Sequence, residues 1–295
     1  MSTVYQIITD RIIDKLENGV IPWKQPWKHY LSEHAPSNIV SKKPYRGINT
    51  FMLASSGFNS NFWGSYKQWS SLGGQVRKGE KGTPVIFWSS SKYVKEGSNG
   101  EKEEKTGLLL RYYTVFNASQ VEGVELPKIS LPSSEVQPID RCVSMIENAK
   151  TMNRIPEIEH KESRAYYSAS KDLVNMPLPG SFKDGEHYYS VLFHELIHSS
   201  GHKDRLNRDG ITGSHSFGSK AYSQEELIAE MGSAFLCGHA EILPSTIEDS
   251  AAYLKSWIQA LKGDSKLLIH AASKAQKAAE YLLGIEQQKI EDKED

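Results

Sequence analysis

The feature that most constrains the fold is the segment His194-Glu195-Leu196-Ile197-His198. Its two histidines are four residues apart, so both imidazoles project from the same side of an α-helix. Apolar residues cover the opposite side of such a helix, namely Val191, Leu192, Leu196 and Ile197. The pattern therefore predicts a helix over about residues 185–200 that buries one side and presents both histidines on the other.

Two imidazoles with this spacing are typical zinc ligands, and a carboxylate commonly completes the protein set. Water in the remaining position has its pKa lowered to about 7 by the metal. Glu195 stands beside the first ligand, where it can take a proton from that water and pass it to a leaving amine. We therefore predict a metallopeptidase-type site with Glu195 as the catalytic residue and His194 and His198 as metal ligands. The expected cofactor is Zn²⁺, with Mn²⁺ as the alternative.

Three carboxylates are candidates for the third ligand. Glu226 and Glu230 lie four residues apart on a helix predicted over about residues 223–238, so both can face the site. Ser223 and Glu226 have the spacing of a capping box, which would turn Glu226 back towards the helix start. Asp204 occupies the position of the third ligand in an extended version of the histidine motif. We rank Glu230 first, Glu226 second and Asp204 third.

The N-terminal half is more basic than the rest of the chain. Residues 1–127 hold 16 Lys+Arg against 11 Asp+Glu, although the whole chain has a net charge of −1. Five of the six tryptophans fall between residues 23 and 88, in the same basic region. Interleaved aromatic and basic residues favour binding to single-stranded nucleic acid. The candidate DNA-binding residues are Trp23, Trp27, Tyr45, Arg46, Trp63, Tyr66, Trp69, Arg77, Lys78 and Lys81.

The order of predicted elements indicates an α+β protein with two domains. Strands dominate residues 84–116, apart from a charged loop expected over 95–107, whereas helices dominate after residue 185. A hairpin is expected over 164–176, and its strands are placed to pair with an extended peptide. The proline-rich segment 127–138 is the best candidate linker. We therefore predict an N-terminal α+β domain over 1–126 and a mainly helical domain with a small sheet over 139–295.

The chain has the composition of a globular protein and contains no apolar stretch of the roughly 18 residues that a membrane helix needs. Residues 1–20 read as an amphipathic helix and not as a secretory signal. The only cysteines, Cys142 and Cys237, are far apart in the chain, so a disulfide framework is not expected. These features predict a cytoplasmic protein without a membrane partner.

Both halves together resemble the ArdC family of antirestriction proteins. The N-terminal resemblance lies in Pro22-Trp23, Pro26-Trp27, Tyr45-Arg46-Gly47-Ile48-Asn49, Trp63, Tyr66, Gln68-Trp69 and Gly74 to Gly82. The C-terminal resemblance lies in Phe193 to His198, Gly201-His202, Arg205 to Arg208 and Glu225 to Glu230. The resemblance implies an N-terminal single-stranded-DNA-binding domain, a C-terminal zincin-like metallopeptidase domain, and protection of incoming plasmid DNA from host restriction during conjugation.

Two functions of different classes follow from these features. In the first, the chain is a metal-dependent peptidase tethered to DNA, and its substrate is a host protein such as a restriction enzyme subunit. In the second, the chain protects DNA by coating single strands, and the metal site is structural. Glu195 discriminates between them, because a structural site has no use for an unligated carboxylate beside an open coordination position.

Overall fold

A computed structural model describes residues 3–24, 35–58, 60–96, 102–126, 138–213, 220–244 and 251–286. Its α-helices are α1 (Val4–Glu17), α2 (Ile48–Ala54), α3 (Tyr66–Ser71), α4 (Pro138–Thr151), α5 (Gly185–Ser200), α6 (Asp209–Thr212), α7 (Lys220–Ala240), α8 (Ala251–Gly263) and α9 (Leu267–Leu283). Its strands are β1 (Ser37–Asn38), β2 (Phe62–Ser65), β3 (Gln75–Val76), β4 (Thr83–Glu96), β5 (Lys102–Asn117), β6 (Val121–Glu122), β7 (Glu157–Glu159), β8 (Tyr166–Ser168) and β9 (Leu173–Asn175). The α+β class is therefore confirmed.

The N-terminal half is built around a four-stranded sheet with the order β1-β2-β5-β4. Within β5, only the last three residues pair with β2. Most of the β4–β5 pair therefore continues beyond the sheet as a two-stranded ribbon. Our prediction of a charged loop over 95–107 was wrong in extent, because the strands run to Glu96 and restart at Lys102. A continuous antiparallel ladder, which pairs Glu96 with Lys102, keeps these residues in strand conformation.

The outer edge of β4 is closed by a side chain and not by another strand. The amide of Asn49 in α2 donates to the Ile86 carbonyl at 2.7 Å and accepts from the Ile86 N–H at 2.8 Å. The asparagine therefore replaces one peptide unit of a neighbouring strand and satisfies backbone groups that would otherwise be buried without partners. This contact fixes the base of the ribbon against α2.

The C-terminal half is mainly helical, with a three-stranded sheet of order β7-β9-β8. Strands β8 and β9 form the hairpin predicted from the sequence, and β7 adds a parallel strand that was not predicted. Helix α5 packs on α7, and the contact is tight at Gly232, where a β-carbon would lie 2.7 Å from the Ile197 side chain. None of the helices in the described ranges is long and apolar enough to cross a membrane.

One apolar core contains residues from both halves of the chain. Helix α1 packs on α8, α2 packs on α9, and the turn Pro22–Lys24 packs on α7. The rings of Phe51 and Phe235 lie 4.7 Å apart between centroids, and those of Trp23 and Trp257 lie 5.6 Å apart. The first two helices are thus buried against the helices that follow the histidine motif of residues 194–198.

Candidate functional site

The histidine motif lies on α5, as the sequence predicts, and the helix has local reasons to begin and end where it does. Asp184 caps its first turn by accepting a hydrogen bond from the His187 N–H at 2.9 Å. Gly201 ends it, and its N–H bonds to the His198 carbonyl at 2.9 Å. The apolar side of α5 is buried in the core, so the two histidines are held on a rigid element.

Three side chains converge above this helix: His194, His198 and Glu226. The two imidazole Nε2 atoms are 3.1 Å apart. The Glu226 carboxylate lies 3.6 Å from Nε2 of His194 and 3.5 Å from Nε2 of His198, each through a different oxygen. Each histidine Nε2 therefore lies within 3.6 Å of a Glu226 oxygen, and we call the three residues His194, His198 and Glu226 the ligand triangle.

The dimensions of this triangle fit a small divalent cation. Ligand atoms in a tetrahedral zinc site lie about 2.0–2.1 Å from the metal, which places them about 3.3–3.4 Å from one another. The observed separations of 3.1, 3.5 and 3.6 Å bracket that value. Two imidazoles and one carboxylate are also the donor set of catalytic zinc sites, in which a fourth position is left for water or substrate.

The carboxylate that joins the histidines is our second candidate, Glu226, and not the first-ranked Glu230. Helix α7 begins at Lys220, so Ser223 lies inside the helix and cannot form the predicted capping box. The Glu226 side chain therefore faces α5. Glu230 lies one turn further along α7, where its charge still acts on His194. Asp204 lies outside the cluster and is largely exposed, with its carboxylate 3.5 Å from His202.

The cluster attracts positive charge. Burial raises the pKa of Glu226, but the two neighbouring imidazoles outweigh it and lower this pKa to about 2. Burial lowers the pKa of His194, yet the hydrogen bond to Glu226 and the charges of Glu195 and Glu230 raise it to about 9. A proton held this firmly by the imidazole marks a place where a metal cation would also be stabilised.

Sequence reasoning missed two residues that support the site, Glu225 and Arg208. The Glu225 carboxylate lies 3.4 Å from Nδ1 of His198, on the side of the ring opposite the cluster. Arg208 contacts both oxygens of that carboxylate and is itself buried. Burial raises the pKa of Glu225, but hydrogen bonds from His198 and Arg208 lower it overall. The only signal in the sequence was the place of these residues in family motifs.

The predicted hairpin is tied to the end of α5. Arg205 donates to the Ser199 carbonyl at 2.7 Å and binds the Asp172 carboxylate with both terminal nitrogens. Asp172 also accepts a hydrogen bond from the Tyr167 hydroxyl at 2.8 Å. Strand β8, an edge strand of its sheet, is therefore held at a fixed position relative to the metal-binding helix.

Several predicted DNA-binding residues belong to the core. Trp23, Trp63, Trp69 and Tyr45 are buried, so their rings offer no face to a base, and we exclude them from any nucleic-acid surface. The physical reason is that large aromatic side chains stabilise a small domain by filling its interior. Arg46 is half-exposed but forms an ion pair of 2.6 Å with the buried Glu280. Trp27 lies outside the described residues.

The remaining candidates are at the surface, and three of them line one open groove. Tyr66, Arg77 and Lys78 face it together with Gln75 and Phe116. Lys81 is exposed nearby. The guanidinium of Arg77 is already occupied, because it bonds to Glu80 at 2.7 Å and to the Ser119 carbonyl at 2.6 Å.

A second aromatic surface lies on the β4–β5 ribbon and was missed in the sequence. Phe87 faces Arg111 across the ladder, and Tyr113 lies two residues from Arg111, so all three share one face. Phe87 and Tyr113 are 43% and 47% exposed, with ring centroids 5.6 Å apart. The opposite face carries Trp88, whose ring contacts Tyr5 of α1. Alternation along the two strands was the signal that could have revealed this face.

Two family models match the chain, one for each half. The N-terminal domain of anti-restriction factor ArdC matches residues 2–116, and the zincin-like metallopeptidase family matches residues 147–274. The second match contains α5 and α7, and therefore all three residues of the metal cluster.

Relatives and solved structures agree with both matches. The chain is 37% identical to the uncharacterized protein y4eC of Sinorhizobium fredii, over 95% of this chain and 91% of the relative. It is 34% identical to the DNA primase TraC of Escherichia coli, of which it spans only 28%. Crystal structures of the antirestriction ArdC protein of plasmid R388 are similar at 36% identity. The metal-free form has a TM-score of 0.74 over 95% of this chain and 97% of that one, and the Mn(II)-bound form has 0.73 over 96% and 98%.

With this identity over nearly the full length of both chains, and with a metallopeptidase-like helix pair in its second half, the protein belongs to the ArdC family of antirestriction proteins.

Proposed function

We propose that this chain is a divalent-metal-dependent peptidase that binds single-stranded DNA and protects incoming plasmid DNA from host restriction. The observation that carries the proposal is the convergence of His194, His198 and Glu226 at ligand distances, with Glu195 beside them and outside the ligand triangle. Family membership supports the antirestriction role, and the zincin-like match supports the chemistry.

His194, His198 and Glu226 would hold the cation, and we propose Zn²⁺ because two imidazoles and a carboxylate are a donor set of catalytic zinc sites. Mn²⁺ is the alternative, since a related ArdC structure is described as Mn(II)-bound. When bound, either ion supplies a Lewis acid that polarises a carbonyl and lowers the pKa of a water molecule. The protein contributes a preformed set of three donors fixed by the packing of α5 on α7.

Glu195 moves the protons in the proposed reaction. Its carboxylate takes a proton from the attacking water and later delivers it to the nitrogen of the leaving amine. The residue is buried beside His194, so bulk water has little access to its side chain. A carboxylate placed in this way serves hydrolysis and contributes nothing to a purely structural ion.

An extended peptide would be held by an exposed strand edge. Strand β8 is an edge strand, and Arg205 fixes its hairpin to the end of α5. Main-chain hydrogen bonds along such an edge bind peptides of varied sequence, because they do not depend on side chains. We infer that the substrate lies along β8 with its scissile bond towards the metal cluster.

Single-stranded DNA would bind on the exposed face of the β4–β5 ribbon. Phe87 and Tyr113 present two aromatic rings for stacking with bases, and Arg111 on the same face can neutralise a phosphate. Tyr66 and Lys78 line a second candidate surface, because Phe116, which contacts Tyr66 in that groove, alternates to the opposite face of β5 from Tyr113. Binding of this kind does not depend on DNA sequence.

Replacing both Phe87 and Tyr113 with alanine should weaken binding to a single-stranded oligonucleotide roughly 5- to 150-fold for each base that is no longer stacked. Fluorescence anisotropy with a labelled oligonucleotide at constant salt measures this change. Tyr112→Ala is the matched control, because Tyr112 is equally exposed but lies on the opposite face. Equal losses of affinity in the control and the test variant would remove the ribbon face from the interface.

Replacing Arg77 and Lys78 together with alanine should reduce affinity modestly and flatten its dependence on salt. The slope of the logarithm of the binding constant against the logarithm of salt concentration should fall by about one for each phosphate that is no longer neutralised. Because Arg77 already pairs with Glu80, Lys78→Ala alone should reproduce most of the effect. A salt titration of the binding constant measures both quantities. Unchanged slopes in both variants would place the groove outside the DNA-binding surface.

The two activities would act together in the cytoplasm, where the free thiols of Cys142 and Cys237 remain reduced. Binding to the entering strand raises the local concentration of host proteins that meet that strand, so cleavage needs no tight peptide pocket. We keep 1–126 and 139–295 as the proposed DNA-binding and peptidase domains.

The direct test is mass spectrometry of host proteins incubated with the metal-loaded chain, with and without a chelator. Cleavage that requires metal is expected, and its absence would contradict the proposal.

A second function, coating of single strands without cleavage, is favoured by one observation. The ribbon face is made entirely of N-terminal residues and needs none of the metal-cluster residues. In that case the cation would stabilise the packing of α5 on α7 and take no part in chemistry. The two functions make opposite predictions for variants of Glu195.

A further inference from the structure

A buried arginine, Arg208, pairs with the glutamate that contacts Nδ1 of His198. The side chain of Arg208 is only 6% exposed, and that of its partner Glu225 is 4% exposed. Nε of Arg208 lies 3.2 and 3.0 Å from the two carboxylate oxygens, and Nη2 lies 2.5 Å from one of them. A guanidinium that binds both oxygens of a carboxylate fixes the plane of that carboxylate as well as its position.

The same guanidinium also binds the helix that carries His198. Nη2 donates to the Ile197 carbonyl at 2.6 Å, and Nη1 donates to the Ser200 hydroxyl at 2.8 Å. Arg208 therefore joins the C-terminal end of α5 to the part of α7 that carries Glu225 and its neighbour Glu226. Two of the three proposed metal ligands, His198 and Glu226, are therefore positioned by this side chain through neighbouring residues.

Two glycines pack closely against the ion pair of Arg208 and Glu225. A β-carbon on Gly201 would lie 2.9 Å from Nη2 of Arg208. A β-carbon on Gly210 would lie 2.8 Å from the Glu225 β-carbon and 3.0 Å from one carboxylate oxygen. The Arg208 N–H is itself bonded to the Gly201 carbonyl at 2.9 Å. Two glycines thus allow close packing around the ion pair, which fixes its geometry.

Building on the proposed metal function, we propose that Arg208 is a positioning residue of the metal centre that sets its affinity for the cation. Arg208 orients Glu225, and Glu225 accepts a hydrogen bond from Nδ1 of His198. With the proton on Nδ1, the lone pair of Nε2 points into the ligand triangle. Outer hydrogen-bond partners of this kind typically change metal affinity about 10- to 100-fold.

The test measures Zn²⁺ affinity of the full chain by competition with a chelating dye. Arg208→Lys should weaken binding about 10- to 100-fold, because a single ammonium nitrogen cannot replace the three separate guanidinium nitrogens that reach both carboxylate oxygens, a carbonyl and a hydroxyl. Arg205→Lys is the matched control. Arg205 is also buried, bonds to the α5 carbonyl of Ser199 and pairs with a carboxylate, but it has no contact with the metal cluster. The Arg205→Lys variant should bind Zn²⁺ with the affinity of the wild type.

Two further measurements separate positioning from general stability. The visible absorption of the Co²⁺-loaded protein reports ligand geometry, and it should change in Arg208→Lys but not in Arg205→Lys. Glu225→Gln should lose affinity by a similar factor, and adding Arg208→Lys to it should cause no further loss, because the arginine acts through that carboxylate. Should Arg208→Lys fail to fold, the Glu225→Gln variant decides the question.

The outcomes are distinguishable from failure of the proposed function. If the wild type binds Zn²⁺ and Arg208→Lys binds it equally well, or if Arg205→Lys loses as much affinity, the inference is overturned while the metal site stands. If the wild type binds neither Zn²⁺ nor Mn²⁺, the proposed function is overturned and the inference with it.

Discussion

Glu195→Gln is expected to abolish metal-dependent proteolysis, with a rate roughly 10²- to 10⁴-fold below that of the wild type, while metal content and affinity for single-stranded DNA are unchanged. Glutamine has nearly the volume of glutamate, so the packing beside His194 survives, but its amide cannot accept a proton. Glu195 does not belong to the ligand triangle, so the metal should remain bound. Mass spectrometry of treated host proteins gives the rate, and elemental analysis gives the metal content.

The matched control is Glu186→Gln, the same substitution two and a half turns earlier on α5, where the carboxylate bonds to the Leu243 N–H and not to the cluster. Its proteolysis should equal that of the wild type. Cleavage at the wild-type rate by Glu195→Gln would refute the hydrolytic role of this residue. If cleavage is lost but plasmid DNA still escapes restriction after conjugation, strand coating is the protective activity.

Glu226→Ala is expected to have the largest effect on metal binding. It removes one of three protein donors, so the loss of Zn²⁺ affinity should exceed the roughly 10- to 100-fold caused by loss of an outer hydrogen-bond partner. The measurement is competition with a chelating dye, repeated with Mn²⁺. The same substitution at Glu230, one turn along α7, should have a much smaller effect, because Glu230 lies outside the cluster of His194, His198 and Glu226.

The comparison of these two glutamates decides the ligand set. A larger loss of affinity for Glu230→Ala would mean that the helices rearrange on metal binding and that the triangle of His194, His198 and Glu226 is not the bound arrangement. Thermal unfolding in the presence of chelator controls for folding, since both variants should then have similar midpoints.

The sequence predicted helix α5 well, because the residues that determine this helix are close together in the chain. The spacing of His194 and His198, the apolar side of α5 and the residues at its ends all lie within about 18 consecutive positions. The ranking of Glu230 ahead of Glu226 differs from the structure, in which Glu226 lies beside both histidines, for the opposite reason. It depended on whether α7 starts at Ser223 or one turn earlier, and helix starts are set by tertiary packing that a single sequence does not reveal.

The proposed nucleic-acid surface was harder to predict because composition does not report exposure. Trp63 and Trp69 share the basic region with Tyr66, yet only Tyr66 reaches the surface. The ribbon face formed by Phe87 and Tyr113 depends on the register between two long strands, which places residues 26 positions apart on one face. Arg208 and Glu225 likewise meet only because α5, α6 and α7 pack together.

The contact of Phe51 with Phe235 joins the two halves of the chain in one core, so the two proposed activities depend on the same folded unit. A fragment that ends before residue 127 would leave the apolar sides of α1 and α2 facing water, and the remaining fragment would lose part of the cover of α7 to α9. Neither half is then a self-sufficient folding unit, and denaturant should unfold both in one cooperative transition. Separating the proposed strand binding from the proposed hydrolysis consequently calls for point substitutions and not for truncation.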